Sequence, residues 1–133
     1  MLVGKTKPSF ARVALKGHRF EELYFREKAV YNRLDERCIH SVLGFNVPKL
    51  LDFDDRLLIL EMTIVKRPFV LDFAGAYLNE RPEFPAEVWA DWESEKREQF
   101  EGRWPMVEKI LAAFEALGIY LLDVSPSNIG FID

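Results

Sequence analysis

Apolar and polar positions near the start of the chain change from an alternating to a helical pattern. In residues 10–16 (FARVALK) successive side chains alternate between two faces, which predicts a short, half-buried strand that ends at Gly17. Over Arg19–Leu34 apolar residues recur at steps of three and four, which predicts one buried face of a helix. Glu27 falls within that apolar stripe, and a carboxylate on a buried face is costly unless a cation meets it there.

The middle of the chain contains two strand-like runs followed by a shorter helical one. Val47–Phe53 (VPKLLDF) and Leu57–Met62 (LLILEM) predict two strands, with Asp54–Arg56 as the turn between them. The continuous apolar run in the second segment suits a central strand. Val70–Leu78 predicts a short helix.

The second half of the chain is mainly helical. Pro85 suits the first turn of a helix that runs from Ala86 towards Gln99. Trp104–Leu117 is the clearest helix, because it carries an apolar stripe and Gly118 follows as a natural stop. The remaining segments are a strand over Ile119–Leu122, a polar loop over Asp123–Asn128 and a strand over Ile129–Ile132. The order of elements predicts an α+β fold in one domain, residues 1–133.

Composition narrows the class of protein. Of the residues 49% are hydrophobic and 14% aromatic, enough to build a core. The net charge of -4 gives no broad attraction to nucleic acid or to an anionic membrane, and no apolar run approaches the roughly 18 residues of a membrane span. The single cysteine, Cys38, excludes an internal disulfide framework, and with His18 and His40 it leaves little for a zinc site. These features predict a soluble cytoplasmic protein.

Four polar residues are candidates for chemistry, and each also has a structural interpretation. Lys16 ends the first strand and is alone most simply a solvated side chain. Glu27 is either a partly exposed carboxylate or the partner of a buried cation. Asp123 and Asn128 lie five residues apart in a loop, where they could simply form turns around Pro126.

Together the four residues suggest phosphoryl transfer. In that chemistry a lysine steadies the phosphates and a helix glutamate orients the lysine. An aspartate accepts the hydroxyl proton, and an asparagine holds Mg²⁺.

The chain resembles the protein-kinase-like fold, in particular its small atypical branches such as the RIO kinases and the aminoglycoside phosphotransferases. VALK, ending at Lys16, resembles the lysine strand of kinases, and FREKAVYNRL, with Glu27, resembles their helix C. VPKLLDF and LLILEM resemble the fourth and fifth strands. LGIYLLDVSPSNIGF resembles the catalytic loop, with Asp123 at the catalytic aspartate and Asn128 at the metal-binding asparagine. The resemblance covers about Ala11–Phe131.

The resemblance implies a fold, a cofactor and a division of the chain. It implies a small lobe of antiparallel sheet plus helix C in residues 1–63. The hinge, the first helices of the large lobe and the catalytic loop would then occupy residues 64–133. It implies ATP and Mg²⁺ as cofactors, with Lys16 and Glu27 at the phosphates and Glu61 and Met62 at the adenine-binding hinge. Asp123 would be catalytic and Asn128 a metal ligand.

Three departures from the kinase pattern predict weak or absent catalysis. No GxGxxG loop precedes Lys16, and Leu121 and Leu122 stand where kinases carry His and Arg. Kinases place a second metal aspartate after the hairpin that follows the catalytic loop, and Asp133 lies too close to Asn128 for that position unless the hairpin is shortened. These departures favour a kinase-like domain that is truncated after its catalytic loop and has the character of a pseudokinase.

The alternative hypothesis is a non-catalytic binding or regulatory module that acts through protein contacts. Its surface would be the tryptophan-rich segment 83–104, which could bind a protein partner or a second copy of the chain. Core packing is the competing explanation for the tryptophans. We expect residues 79–103 to fold back over the helix Trp104–Leu117, with Trp89 and Trp92 available to cover its apolar stripe.

Overall fold

The computed structural model describes residues 12–132, which form a mixed α+β structure. Its helices are α1 (Glu21–Glu36), α2 (Ala86–Phe100), a short 3-10 helix (Glu101–Arg103) and α3 (Trp104–Glu115). The longer strands are β1 (Val13–Gly17), β4 (Leu50–Asp54) and β5 (Ile59–Thr63). The two-residue strands are β2 (Ser41–Val42), β3 (Phe45–Asn46), β6 (Phe69–Val70), β7 (Tyr77–Leu78), β8 (Ile119–Tyr120) and β9 (Ile129–Gly130).

The strands form three sheets. An antiparallel sheet in the order β1-β5-β4 has the apolar strand β5 at its centre, as its sequence predicts. A second sheet, β2-β3-β6-β9, is antiparallel except where β3 meets β6, and a third consists of β7 and β8. The predicted strand over residues 10–16 is confirmed from Val13 onward, and residues 10 and 11 lie outside the described part of the chain.

Helix α1 forms where the apolar periodicity predicts it. Glu21 and Glu22 occupy its first turn, where carboxylates interact favourably with the helix dipole. Its buried face consists of Tyr24, Glu27, Val30, Tyr31 and Leu34. The buried face thus includes the one carboxylate that interrupts the apolar stripe.

The predicted helix over Val70–Leu78 is wrong. The chain there forms β6 and β7, which flank a loop over residues 71–76. The error has a physical reason: the buried residues Val70, Phe73 and Ala76 are spaced by three, which imitates a helical stripe. The strands are instead fixed by distant partners, because β6 pairs with β9 and β7 pairs with β8.

Phe73 connects the two halves of the core. The side chain is fully buried, and its ring lies 5.3 Å from the ring of Tyr31 on α1 and 5.8 Å from that of Phe114 on α3. These edge-to-face and tilted contacts join the helix beside the first sheet to the helix of the second half. The loop over residues 71–76 is thereby anchored in the interior.

Helices α2 and α3 pack on each other through aromatic side chains. The rings of Trp92 and Trp104 lie 6.3 Å apart, and the indole nitrogen of Trp92 donates to the carbonyl of Leu122 at 3.0 Å. The segment before α3 therefore folds back towards it, as expected. None of the helices in the described part of the chain is both long and apolar enough to cross a membrane.

Trp92→Phe is expected to lower the free energy of unfolding by about 1–2 kcal/mol, because it removes a half-buried hydrogen bond and some packing. Urea denaturation followed by far-UV circular dichroism measures the change. Trp89→Phe is the matched control, since Trp89 is half-buried like Trp92 but its contacts are with the side chains of Phe84, Arg81 and Trp92. Equal losses in the two variants would contradict a structural role specific to Trp92.

Candidate functional site

Lys16 and Glu27 form the ion pair that the sequence predicts. The register of β1 and β5 places Lys16 opposite Leu60, on the face of the sheet that is turned towards α1. The Nζ atom of Lys16 lies 2.9 Å from Oε1 and 3.1 Å from Oε2 of Glu27. Glu27 is fully buried, whereas the Lys16 side chain is 32% exposed, so its ammonium group reaches the surface of a cleft.

The Glu27 carboxylate is fully engaged by further donors. The Nε2 atom of His18 lies 2.6 Å from Oε1, and the backbone N–H of Phe73 donates to Oε2 at 2.9 Å. These contacts compensate for the burial of a charge. Sequence reasoning missed His18 as part of this site. The available signal was its position two residues after Lys16, which places both side chains on one face of an extended segment.

Asp72 is the second functional residue that sequence reasoning missed. Its Oδ1 atom lies 2.7 Å from Nζ of Lys16, so the lysine is shared between two carboxylates. The backbone of Asp72 is left-handed, with φ of 68°, and Oδ1 also accepts from the N–H of Ala74 at 3.4 Å. Sequence reasoning did not select this residue, because in the wrongly predicted helix over Val70–Leu78 Asp72 has no special position.

The surroundings of Lys16 keep it charged. Burial by itself lowers the pKa of the ammonium group, but the charges and hydrogen bonds of Glu27 and Asp72 outweigh it, so the pKa is raised above its ordinary value. At neutral pH Lys16 is therefore a fixed positive charge facing the cleft.

The predicted polar loop brings Asn128 to Asp72. The Asn128 amide nitrogen lies 3.5 Å from Oδ2 of Asp72 and donates to the backbone carbonyl of Asp123 at 3.3 Å. The N–H of Leu71 donates to the carbonyl of Asn128 at 2.8 Å. The two loops are thus joined through both backbone and side chain. Lys16, Glu27 and Asn128 meet at one place, together with Asp72.

Asp123 is exposed, and its backbone packs on Gly75. A methyl group added at Gly75 would lie only 2.9 Å from Cβ of Asp123, closer than side-chain carbons normally approach. The absence of a side chain at Gly75 therefore allows the two loops to meet.

Gly75→Ala is expected to destabilise the protein by about 1–3 kcal/mol, because the added methyl group must displace Asp123. Gly102→Ala is the control, since a methyl group there meets nothing within 4 Å. Thermal unfolding of both variants checks the prediction. If Gly75→Ala unfolds at the same temperature as Gly102→Ala, the two loops are not in the close contact described here.

A cleft of about 350 Å³ adjoins these side chains. Lys16, Glu27, Asp72 and Asn128 form its polar end. Its other walls are mostly apolar. They come from β1, from β5 and the residues after it, from α1 and from the segments that precede β4 and follow β6: Ala14, Leu15, Tyr31, Pro48, Met62, Thr63, Ile64, Val65 and Leu71. The cleft can therefore hold a ligand with an apolar part and a polar end.

The two predicted hinge residues are placed differently. Met62 lines the cleft, but Glu61 does not, because it pairs with Leu15 and its side chain is directed to the opposite face of β5. Glu61 is 1% exposed and is held by interactions of its own. Any contact of Glu61 with a ligand in the cleft would have to be made by its backbone.

Comparisons with known proteins do not assign the chain to a family. No protein-family model matches the chain, and neither a curated protein nor a solved structure matches it. The functional argument therefore depends on the residues of the cleft.

Proposed function

We propose that the cleft binds a nucleoside triphosphate with Mg²⁺ and that the chain is a protein-kinase-like protein with weak phosphotransferase activity. The observation that carries the proposal is the position of Lys16. Its ammonium group is fixed by buried Glu27 and faces Asp72 and Asn128 across the polar end of the cleft. A structural ion pair alone does not require an acidic and an amide side chain from two other loops at the same point.

The residues present suit the parts of such a ligand. The apolar walls, including Ala14, Met62 and Ile64, offer surfaces for a base, and Lys16 offers a cation for phosphate oxygens. Asp72 and Asn128 offer the oxygen ligands that Mg²⁺ prefers. The residues before β1, where the sequence predicts no glycine-rich phosphate loop, lie outside the described part of the chain.

The bound Mg²⁺-nucleotide would supply a transferable phosphoryl group, and the side chains have separate roles towards it. Lys16 binds and orients phosphate oxygens, while Glu27 holds Lys16 in place through contacts that His18 and Phe73 complete. Asp123 is the proposed acceptor for the proton of an attacking hydroxyl group, which increases the nucleophilicity of that oxygen. Asp123 does not line the cleft itself, and its exposed side chain leaves room for the molecule that would receive the phosphoryl group.

The alternative function, a non-catalytic module that binds a protein through the tryptophan-rich segment 83–104, has less support. Trp104 is buried and Trp92 is half-buried with its nitrogen bonded to Leu122, so both are used by the fold. The large apolar side chains that remain exposed in the segment are Phe84 and Val88. They offer a smaller apolar surface than the sequence suggests.

A thermal-shift titration with Mg-ATP tests the proposal. At about 100 times its Kd the nucleotide should stabilise the wild-type chain by about 2.7 kcal/mol, which raises Tm visibly. The shift should be lost in Lys16→Ala, measured against the Tm of that variant alone, and retained in Lys66→Ala, where the lysine is exposed and outside the cleft. The absence of any shift in folded wild-type protein at millimolar Mg-ATP would contradict nucleotide binding.

A further inference from the structure

We propose that Asp72 and Asn128 together form a divalent-cation site, with Asp72 as its charged ligand. The inference rests on the proposed function, because phosphate oxygens of the nucleotide would complete the coordination. It adds an aspartate from a separate loop to Asn128, the metal ligand that the resemblance implies.

The backbone brings the two residues together. The strands β6 and β9 are antiparallel, with Phe69 opposite Gly130 and Val70 opposite Ile129. Asn128 precedes β9 and Asp72 follows β6 by two residues, so both leave the pair of strands at the same end. On the other side of the loops β7 pairs with β8, and the segments 69–78 and 119–130 therefore run side by side at both ends. Asp72 is held between two pairings rather than at a free loop tip.

The side chains identify Asp72 as the ligand. The carboxylate of Glu27 is buried and already accepts from Lys16, His18 and the N–H of Phe73. Asp72 is 30% exposed, and its Oδ2 is directed towards Asn128. Of the two carboxylates bonded to Lys16, Asp72 is therefore the one that can receive a cation from the cleft.

The backbone conformation of Asp72 supports a specific role. A non-glycine residue with positive φ is uncommon, and aspartate and asparagine tolerate it best. Strained residues of this kind are often found at functional sites. The conformation directs the side chain towards Lys16 and Asn128 while the next residue, Phe73, enters the core.

The ligand chemistry points to Mg²⁺ or Mn²⁺ bound together with phosphates. A carboxylate and an amide oxygen are hard ligands, and Mg²⁺ typically takes one or two carboxylates and completes its shell with water and phosphate oxygens. Residues 12–132 contain no group of three acidic, histidine or cysteine side chains that could hold a metal ion without such help. Lys16 is 2.7 Å from Asp72, and its charge opposes a lone cation there. Anionic phosphates offset that repulsion, so metal and nucleotide should bind cooperatively.

The amide of Asn128 must change its orientation to take part. Its nitrogen faces Asp72, and coordination requires the amide oxygen on that side instead. Asn128→Asp removes this requirement and adds a charge. The variant is therefore expected to bind the cation more tightly than wild type, whereas Asn128→Ala binds it more weakly.

Mn²⁺ titration followed by electron paramagnetic resonance tests the site on the full chain. Wild type should bind one Mn²⁺, weakly alone and at least about tenfold more tightly with a non-hydrolysable ATP analogue present. Asp72→Asn keeps the shape and the tolerance for positive φ, and should weaken Mn²⁺ binding by about tenfold to a hundredfold. Asp91→Asn, on the exposed face of α2, should match wild type. Far-UV circular dichroism verifies that each variant is folded.

Two results would overturn the site: equal Mn²⁺ affinity in wild type and Asp72→Asn, or no Mn²⁺ bound to wild type at millimolar concentration. Nucleotide binding is measured separately, with a fluorescent ATP analogue at saturating Mg²⁺, in wild type and in Lys16→Ala. Mn²⁺ binding through Asp72 without nucleotide binding would leave the cation site standing and contradict the proposed function. If nucleotide binds but Asp72→Asn gives the same Mn²⁺ titration as wild type, the proposed function stands and the cation site at Asp72 is excluded.

Discussion

Glu27→Ala is expected to lower the free energy of unfolding by about 3–5 kcal/mol, the cost of removing one partner from a buried ion pair. The variant leaves His18 and the N–H of Phe73 without an acceptor inside the protein. It also leaves Lys16 bonded to Asp72 alone. Urea denaturation, monitored by far-UV circular dichroism, measures the loss.

Two companion variants separate the buried role of Glu27 from a general effect of the helix. Glu22→Ala removes a glutamate from the same helix, but that side chain is 80% exposed, so it should change stability by less than about 0.5 kcal/mol. Glu27→Gln keeps an acceptor oxygen and should fall between the two. If Glu27→Ala lowers the free energy of unfolding by less than about 1 kcal/mol, the carboxylate does not form the buried ion pair and hydrogen bonds described above.

Asp123→Asn is expected to reduce phosphoryl transfer by about 10²–10⁴-fold, because the amide cannot accept the proton of the attacking hydroxyl. The substitution preserves size and leaves the apolar walls of the cleft and Lys16 intact, so the Kd for nucleotide should change little. The rate is measured as release of labelled phosphate from γ-labelled ATP, with water as the simplest acceptor. The separation of rate from affinity identifies a residue that acts on the reacting atoms.

Ser127→Ala is the control for Asp123→Asn, since it alters the same loop without removing a carboxylate and leaves the Asn128 contacts in place. An Asp123→Asn protein that releases phosphate at the wild-type rate would exclude Asp123 as the base. If wild type binds nucleotide but releases no phosphate above background, the chain is a nucleotide-binding protein without transferase activity.

The parts of the fold that could be predicted from the sequence are those fixed by local patterns. Helices α1 and α3 follow from apolar residues at steps of three and four, and α2 from Pro85 at its start. The pairing of Lys16 with Glu27 followed from one carboxylate on an apolar helix face. A carboxylate on a buried helix face is costly on its own, so it predicts a cationic partner even when that partner is distant in sequence.

Asp72 could not be predicted in the same way. Its neighbours Val70, Phe73 and Ala76 have a helical spacing, and only pairing with β8 and β9 makes the segment extended. Those contacts join residues that are about forty to sixty positions apart in sequence, and no local propensity encodes them. Pairing with distant strands therefore determines the structure of this segment against its helical spacing, and it places the carboxylate of Asp72 in the cleft.

The sheet register explains why Glu61 and Met62, adjacent in sequence, have different positions. Successive side chains of a strand point to opposite faces, so only one of the two can line the cleft. The resemblance implies that both lie at a hinge, but choosing which of them lines the cleft requires knowing which face of β5 is turned towards α1. The pairing of Leu60 with Lys16 decides it in favour of Met62.

The pairing of β7 with β8 also has a consequence for the order of events during synthesis. The partner of β7 in the described structure is β8, which follows α3 and emerges from the ribosome about forty residues later. Until then β7, the strand that follows the loop with Asp72, has no partner strand. Lys16 and Glu27 have both been synthesised by that time. The nascent chain can thus form the ion pair early, but Asn128 and the strands that pair with both ends of the Asp72 loop join it only after they have left the ribosome.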